Sequence, residues 1–192
     1  MLVVILGKEY NIETTKILDL SDKNLITIPD EVFSLVNLEK LSIQNAGLTT
    51  ISPKIIKLIK LKLLCLNNNQ IVEIPIKICK LTNLKTLYLN GNKIQYIPIE
   101  LSKLIKTHFY FYYNKIKIIP IELLNCYLSL DNSSYDIDNL DFDCEMLIFD
   151  NLYCDLTNLP INLKQIYFKK IMKDRLKNYN IKLPFGCEID FF

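Results

Sequence analysis

Few residues of this 192-residue chain have the types and spacing that chemistry requires. Its single histidine, His108, has no evident set of nucleophile and carboxylate partners, and acid–base or nucleophilic catalysis needs such groups to converge. The six cysteines, Cys65, Cys79, Cys126, Cys144, Cys154 and Cys187, form no C-x-x-C pair and no cluster at either end. Buried, reduced thiols are therefore expected rather than a metal or redox centre. The run from Asp136 to Glu145 has the carboxylate density of a calcium loop but lacks the turn glycine and a bidentate glutamate at the right distance, so it reads as a solvated acidic face. Lys54, Lys57, Lys60 and Lys62 are separated, and the bases from Lys164 to Lys177, with Arg175, are terminal. Neither group sits in a nucleic-acid module. There is no glycine-rich phosphate loop. The expectation is a protein with no catalytic residue, no metal and no cofactor.

What must position any functional residue is a phrase that returns. LDLSDKNL starts at Leu18, LSIQNAGL at Leu41, LCLNNNQI at Leu64 and LYLNGNKI at Leu87, each start 23 residues after the last. Alternation within L-x-L predicts a short strand with its leucines inward. Leu38, Leu41, Ile43 and Leu48 fill the inward places of one unit; Leu61, Leu64, Leu66 and Ile71 fill the next; and Leu84, Leu87, Leu89 and Ile94 the one after. Prolines follow in Thr27-Ile28-Pro29, Glu73-Ile74-Pro75, Tyr96-Ile97-Pro98 and Ile118-Ile119-Pro120, where a fixed φ and a missing donor direct the chain into a return segment. Val32, Leu35 and Leu38 at helical spacing predict short helical or 3-10 turns there. Strand cores then continue at closer spacing through Phe109-Tyr110-Phe111, Leu128-Ser129-Leu130, Leu147-Ile148-Phe149 and Ile166-Tyr167-Phe168, with shorter, more extended returns.

These units fit L-x-x-L-x-L-x-x-N-x-L and resemble the leucine-rich repeat superfamily over about residues 17 to 170, closely in the first four units. The proline-bearing return is similar to the intracellular, Ras-group class. The abundance of Ile, Asn and Lys with short L-P-x-x-L units is loosely similar to repeat proteins of giant DNA viruses. The resemblance implies an α/β fold, a leucine-rich repeat solenoid or horseshoe with a parallel concave sheet of about eight short strands and short helical, 3-10 or extended convex segments. It divides the chain into an N-terminal capping segment (1–16), repeats (17–170, regular to about 116) and a C-terminal capping segment (171–192). Asn69, Asn92 and Asn114 take the ninth position, where a buried amide bonds the backbone of adjacent turns as a structural ladder. Lys23 and Ala46 occupy that slot in the first two units. Either Asn24 and Asn45 substitute by a small shift, or those turns are less tightly tied.

Residues between and just after the inward leucines face out on the concave side. A polar first half there gives way to aromatics, which makes Tyr88, His108, Tyr110, Tyr112, Tyr113, Tyr127, Asp131, Asp150 and Tyr167 the candidate partner-binding residues. Tyrosine offers a large amphipathic area at low entropic cost and is enriched in binding hot spots. The alternative is that tyrosines tile a sheet through cross-strand pairing alone. Strands about 4.8 Å apart make a groove roughly 35 to 40 Å long, suited to a protein surface or an extended peptide.

The net charge of +2 gives no case for steering toward nucleic acid or membrane. The apolar start from Leu2 to Leu6 is too short to cross a bilayer and has no basic region before it, so it reads as a structural segment. Ile55 to Leu66 is claimed by the repeat register rather than by a membrane-binding helix. The chain is accordingly expected to be a non-enzymatic, monomeric protein of the cell interior, in the cytoplasm, that binds a protein partner and neither nucleic acid nor membrane. The competing expectations are an assembly protein packing through its convex face or solenoid ends, and an adaptor that recruits a target to a separate enzyme.

Overall fold

A computed structural model describes residues 1–117, 120, 122–123, 127–130, 146–149, 159, 163–168 and 173–191, with backbone alone for Tyr127, Met146, Ile148 and Phe149. The chain opens with a hairpin. Strand β1 (Leu2–Ile5) pairs antiparallel with β2 (Lys8–Asn11) across a two-residue turn, Leu6-Gly7, whose φ angles are both positive, at 48° and 78°. A turn of that hand matches the right-handed twist of the flanking strands, and the glycine accepts it without strain. The sequence pointed to one structural segment here; alternation across the turn makes it two strands. Ile5 reaches the core, while Leu2, Val4 and Leu6 stay exposed.

Six parallel strands follow: β3 (Ile17–Asp19), β4 (Lys40–Ser42), β5 (Leu63–Cys65), β6 (Thr86–Tyr88), β7 (His108–Tyr110) and β8 (Tyr127–Ser129). Their register aligns Leu18, Leu41, Leu64, Leu87, Phe109 and Leu128 side by side, the residues that the sequence spacing picks out. A second parallel sheet joins β9 (Met146–Phe149), β10 (Gln165–Phe168) and β11 (Glu188–Phe191), aligning Leu147, Ile166 and Ile189. The last strand lies in the segment read from sequence as a cap. Ile189 follows Ile166 by the same 23 residues as the early repeats.

Each early return segment is a 3-10 turn: η1 (Asp30–Ser34), η2 (Pro53–Lys57), η3 (Ile76–Lys80) and η4 (Ile99–Lys103). No α-helix occurs among the described residues. Pro29, Pro75 and Pro98 precede three of these turns in extended conformation, and their carbonyls accept from the N–H groups of Val32, Ile78 and Leu101 at 2.9–3.1 Å. In η2 the order shifts by one: Ser52 takes that place, its carbonyl and hydroxyl accepting from Ile55 and Lys54, and Pro53 stands at the first helical position, where a missing N–H costs nothing. Val32, Ile55, Ile78 and Leu101 turn inward against the strand leucines and are at most 1% exposed. The core is thus one continuous apolar column between sheet and returns, which no single repeat could bury alone.

Candidate protein-binding face

Two ladders of side-chain hydrogen bonds bind neighbouring repeats, one inside and one on the concave surface. In the inner ladder, Asn69 Oδ1 accepts from the N–H groups of Ala46 and Leu48 at 3.1 and 3.0 Å, while its Nδ2 donates to the carbonyls of Ile43 and Leu66 at 2.7 and 3.0 Å. Asn92 accepts from Ile71 N–H and donates to the Leu66 and Leu89 carbonyls. Asn114 accepts from Ile94 N–H and donates to the Leu89 and Phe111 carbonyls. All three amides are at most 6% exposed and each bridges two repeats, so the oxygen and nitrogen of each buried side chain find partners. Asn45 and Asn24 do not substitute in the first repeats. Asn45 is exposed and donates to Asp22, Asn24 is exposed, and Leu25 N–H bonds the Ala46 carbonyl directly.

The outer ladder was not anticipated from the sequence, although the recurrence of Ser21, Gln44, Asn67 and Asn90 at one position was visible there. Ser21 Oγ accepts from Gln44 N–H at 3.0 Å, Asn67 Oδ1 from Asn90 N–H at 2.9 Å, and Asn90 Oδ1 from Tyr112 N–H at 2.9 Å. Asn67 Nδ2 also donates to Gln44 Oε1. Nearby, Ser21 N–H and hydroxyl bond the Asp19 carboxylate and hold its pKa below the usual value. These polar side chains have spent much of their bonding capacity on the fold itself.

The aromatic end differs. Register places Tyr88 beside Tyr110, and their rings stack at 4.6 Å between centroids with planes 24° apart. Both are half-buried, on the same column as Asp19, Ser42 and the buried Cys65. Burial pushes the Tyr88 phenol up, with Tyr110 and Cys65 adding, and burial likewise raises the Cys65 thiol. A neutral phenol can both donate and accept. Tyr112, half-buried, continues the column of Asn67 and Asn90. Tyr113 does not lie beside it on the sheet. It is 67% exposed at φ 55°, the left-handed corner that Asp22, Asn45, Asn68 and Gly91 occupy in earlier repeats. Gly91 suits that corner because an added Cβ would collide with the Asn68 side chain.

His108 is exposed and pairs in register with Thr86 and with the backbone of Tyr127. Tyr167 is half-buried on β10, where its hydroxyl donates to Gln165 Oε1 at 2.9 Å. Asp131, Asp150 and the acidic run 136–145 lie outside the described residues. Among the described residues no group of His, Cys, Asp and Glu is arranged to hold a metal.

A stack of parallel strands with 3-10 returns and an internal asparagine ladder defines the class of protein as a repeat solenoid. Residues 36–94 match the leucine rich repeat family model, and the fold is that of a leucine-rich repeat solenoid. No curated protein matches it. Among solved structures it is similar to the BIR2 ectodomain of Arabidopsis thaliana (24% identity over 60% of this chain and 64% of that one, TM-score 0.51). It is also similar to an internalin, inlF, of Listeria monocytogenes (16%, covering 92% and 54%, TM-score 0.52). A plant ice-binding protein matches at 18%, covering 91% and 56%, with a TM-score of 0.51. The chain spans between 54% and 64% of the length of these structures, and likeness at such identities shows the fold alone. Leucine-rich repeats generally mediate protein–protein interaction.

Proposed function

We propose that this chain is a non-enzymatic interaction module that binds a partner protein, or an extended peptide from one, on its concave face around Tyr88, Tyr110 and Tyr112. The observation that carries the reading is the stacked Tyr88–Tyr110 pair, which presents aromatic area on a sheet whose other outward side chains are largely tied to each other. His108 and Tyr113 border the patch, and Tyr167 is the candidate contact on the C-terminal sheet; the Tyr127 side chain, Asp131 and Asp150, also candidates from the sequence, lie outside the described residues. Residues 1–16 and 171–192 cap the ends of the apolar column. Buried, unpaired Cys65 and Cys79 and the half-buried thiol of Cys187 support a reducing, intracellular compartment. No helix among the described residues is long and apolar enough to cross a membrane.

The test is a capture experiment from the native cell type, comparing wild type with the double variant Tyr110→Ala, Tyr112→Ala after both give the same circular dichroism melt. A protein held by wild type and released by the variant, with at least about 2 kcal/mol lost in a purified binding assay, supports the concave patch. Equal capture by both chains places the site elsewhere.

A further inference from the structure

Both ends of the apolar column show apolar side chains to solvent. At the N-terminal end the hairpin turns Val3 and Ile5 onto the core, and strand alternation puts Leu2 and Val4 on its outer face, where each is more than half exposed. Glu9 pairs across the hairpin with Val4 and shares that face, while Lys8 and Tyr10 pair with Ile5 and Val3 on the other. Glu9 makes no ion pair with a described residue. At the C-terminal end, Ile189 and Phe191 of β11 stand beside Ile166 and Phe168 of β10. Ile166 and Phe168 are fully buried, whereas Ile189 and Phe191 are only half-buried, because no described strand lies beyond β11. Lys173 stands over the Phe191 ring, with Nζ 5.8 Å from its centroid, and it too makes no ion pair with a described residue. In the turn that leads into β11, Cys187 N–H donates to the Pro184 carbonyl at 3.1 Å, Gly186 takes φ 79°, and Phe185 between them is fully exposed.

A solenoid stays single when its end repeats turn a polar face outward. Here each end has an apolar centre with one charge beside it, and the two charges are opposite: Leu2 and Val4 with Glu9, Ile189 and Phe191 with Lys173. Like ends do not suit one another. An antiparallel pair of β11 strands that shares its apolar face sets Ile189 opposite Ile189, with Glu188 opposite Asp190, or Ile189 opposite Phe191, with Asp190 opposite Asp190. Either register puts like charges directly across the pair. Two hairpin faces bring Glu9 to Glu9. We propose that copies of this chain stack end to end, the hairpin face of one copy, Leu2 and Val4 with Glu9, covering the end of the next copy's column at Ile189, Phe191 and Lys173. The contact is head to tail, so it leaves one free end of each kind and extends a row of copies instead of closing a pair. The concave faces stay outside it. Each end is a single repeat wide, which puts the contact among the small interfaces, with a dissociation constant of about 10–100 µM.

Sedimentation velocity on the full chain from about 5 µM to about 300 µM tests this. Wild type should sediment faster as concentration rises and pass beyond the dimer at the top of the range. The hairpin variant Leu2→Thr, Val4→Thr removes apolar area while keeping residues that favour a strand. The opposite-end variant Lys173→Glu, Phe185→Ser changes only exposed side chains, so its melting curve should match that of wild type. Each should associate at least about tenfold more weakly than wild type. Mixed in equal amounts, the two should regain association but stop at the dimer, because the intact C-terminal end of the first meets the intact hairpin of the second and the remaining ends are both altered. If the hairpin variant melts early, Val4→Thr alone should weaken association by a factor of a few and take its place in the mixture. The proposal is overturned if wild type stays monomeric up to about 300 µM. It is equally overturned if either variant associates like wild type, as pairing between like ends requires, or if the mixture associates no better than its parts.

Discussion

The polar and aromatic ends of the concave sheet are built on the same backbone and use it differently. From β3 to β6 the outward column of Ser21, Gln44, Asn67 and Asn90 bonds forward into the next repeat, so its side chains serve the stack. At β6 and β7 the outward residues are Tyr88 and Tyr110, which satisfy one another by ring stacking and keep a face toward the groove. A solenoid must hold each repeat to the next, and polar side chains on the sheet can do that only by giving up bonding capacity. Aromatic side chains contribute to the same cohesion through stacking while retaining area and a hydroxyl for a partner.

The most severe way to break this comparison is to remove the support common to both ends. Leu87→Asp puts an unpaired charge at a position with 0% exposure and should cost about 4 kcal/mol or more, unfolding the neighbouring repeats. An unchanged thermal melt would mean that the inward register is wrong. Asn92→Ala should cost about 1–3 kcal/mol, because it strands the Ile71 N–H away from water and leaves the Leu66 and Leu89 carbonyls with the Asn69 and Asn114 amides alone as side-chain donors. Denaturant unfolding measures that loss, and a cost under half a kcal/mol would show that water replaces the amide.

Smaller changes sharpen the contrast between the ends. Asn67→Ala should lower stability by about 1 kcal/mol and leave partner binding alone, whereas Tyr88→Ala should cost about 1 kcal/mol of stability and also weaken binding. Equal effects of the two on binding would erase the distinction between a cohesive and a receptive end. The mildest effect is electrostatic. Lys62 and Lys16 both hold the Glu39 carboxyl below its ordinary value of 4.5. Its folded-state pKa is depressed, so its contribution is present above that value and is lost as pH falls through the folded-state pKa. Melting curves of wild type and Glu39→Gln should therefore differ slightly at pH 7 and converge in acid. A difference that persists in acid would point to packing rather than charge.

Much of the fold was legible because its period is strict. A spacing of 23 residues brings the same residue type to the same depth in every turn, so Leu41, Leu64 and Leu87 could be aligned without knowledge of any contact. The later, shorter spacing located Leu128, Leu147 and Ile166 just as well, since a strand core needs only its inward residue in place. Less regular features stayed hidden. Strand β11 lacks leucine, and its inward Ile189 carries no consensus around it. The hairpin turn at Leu6-Gly7 has a weak signature, and Tyr113 reads like its neighbour Tyr112 until the left-handed corner separates them. The outer ladder could be suspected from position but not established, because an amide on a sheet may as easily face solvent.

What the sequence determined by itself was therefore the repeat, its inward leucines and the place of the aromatic residues, because these follow from periodicity and from the demand that apolar side chains leave water. Only the tertiary structure decided which polar side chains were consumed by neighbouring repeats, which tyrosines stacked, and which lysines reached a carboxylate of the preceding repeat. Those outcomes depend on side-chain distances between turns more than twenty residues apart, and a one-dimensional pattern specifies which residues are neighbours without specifying what bonds they make.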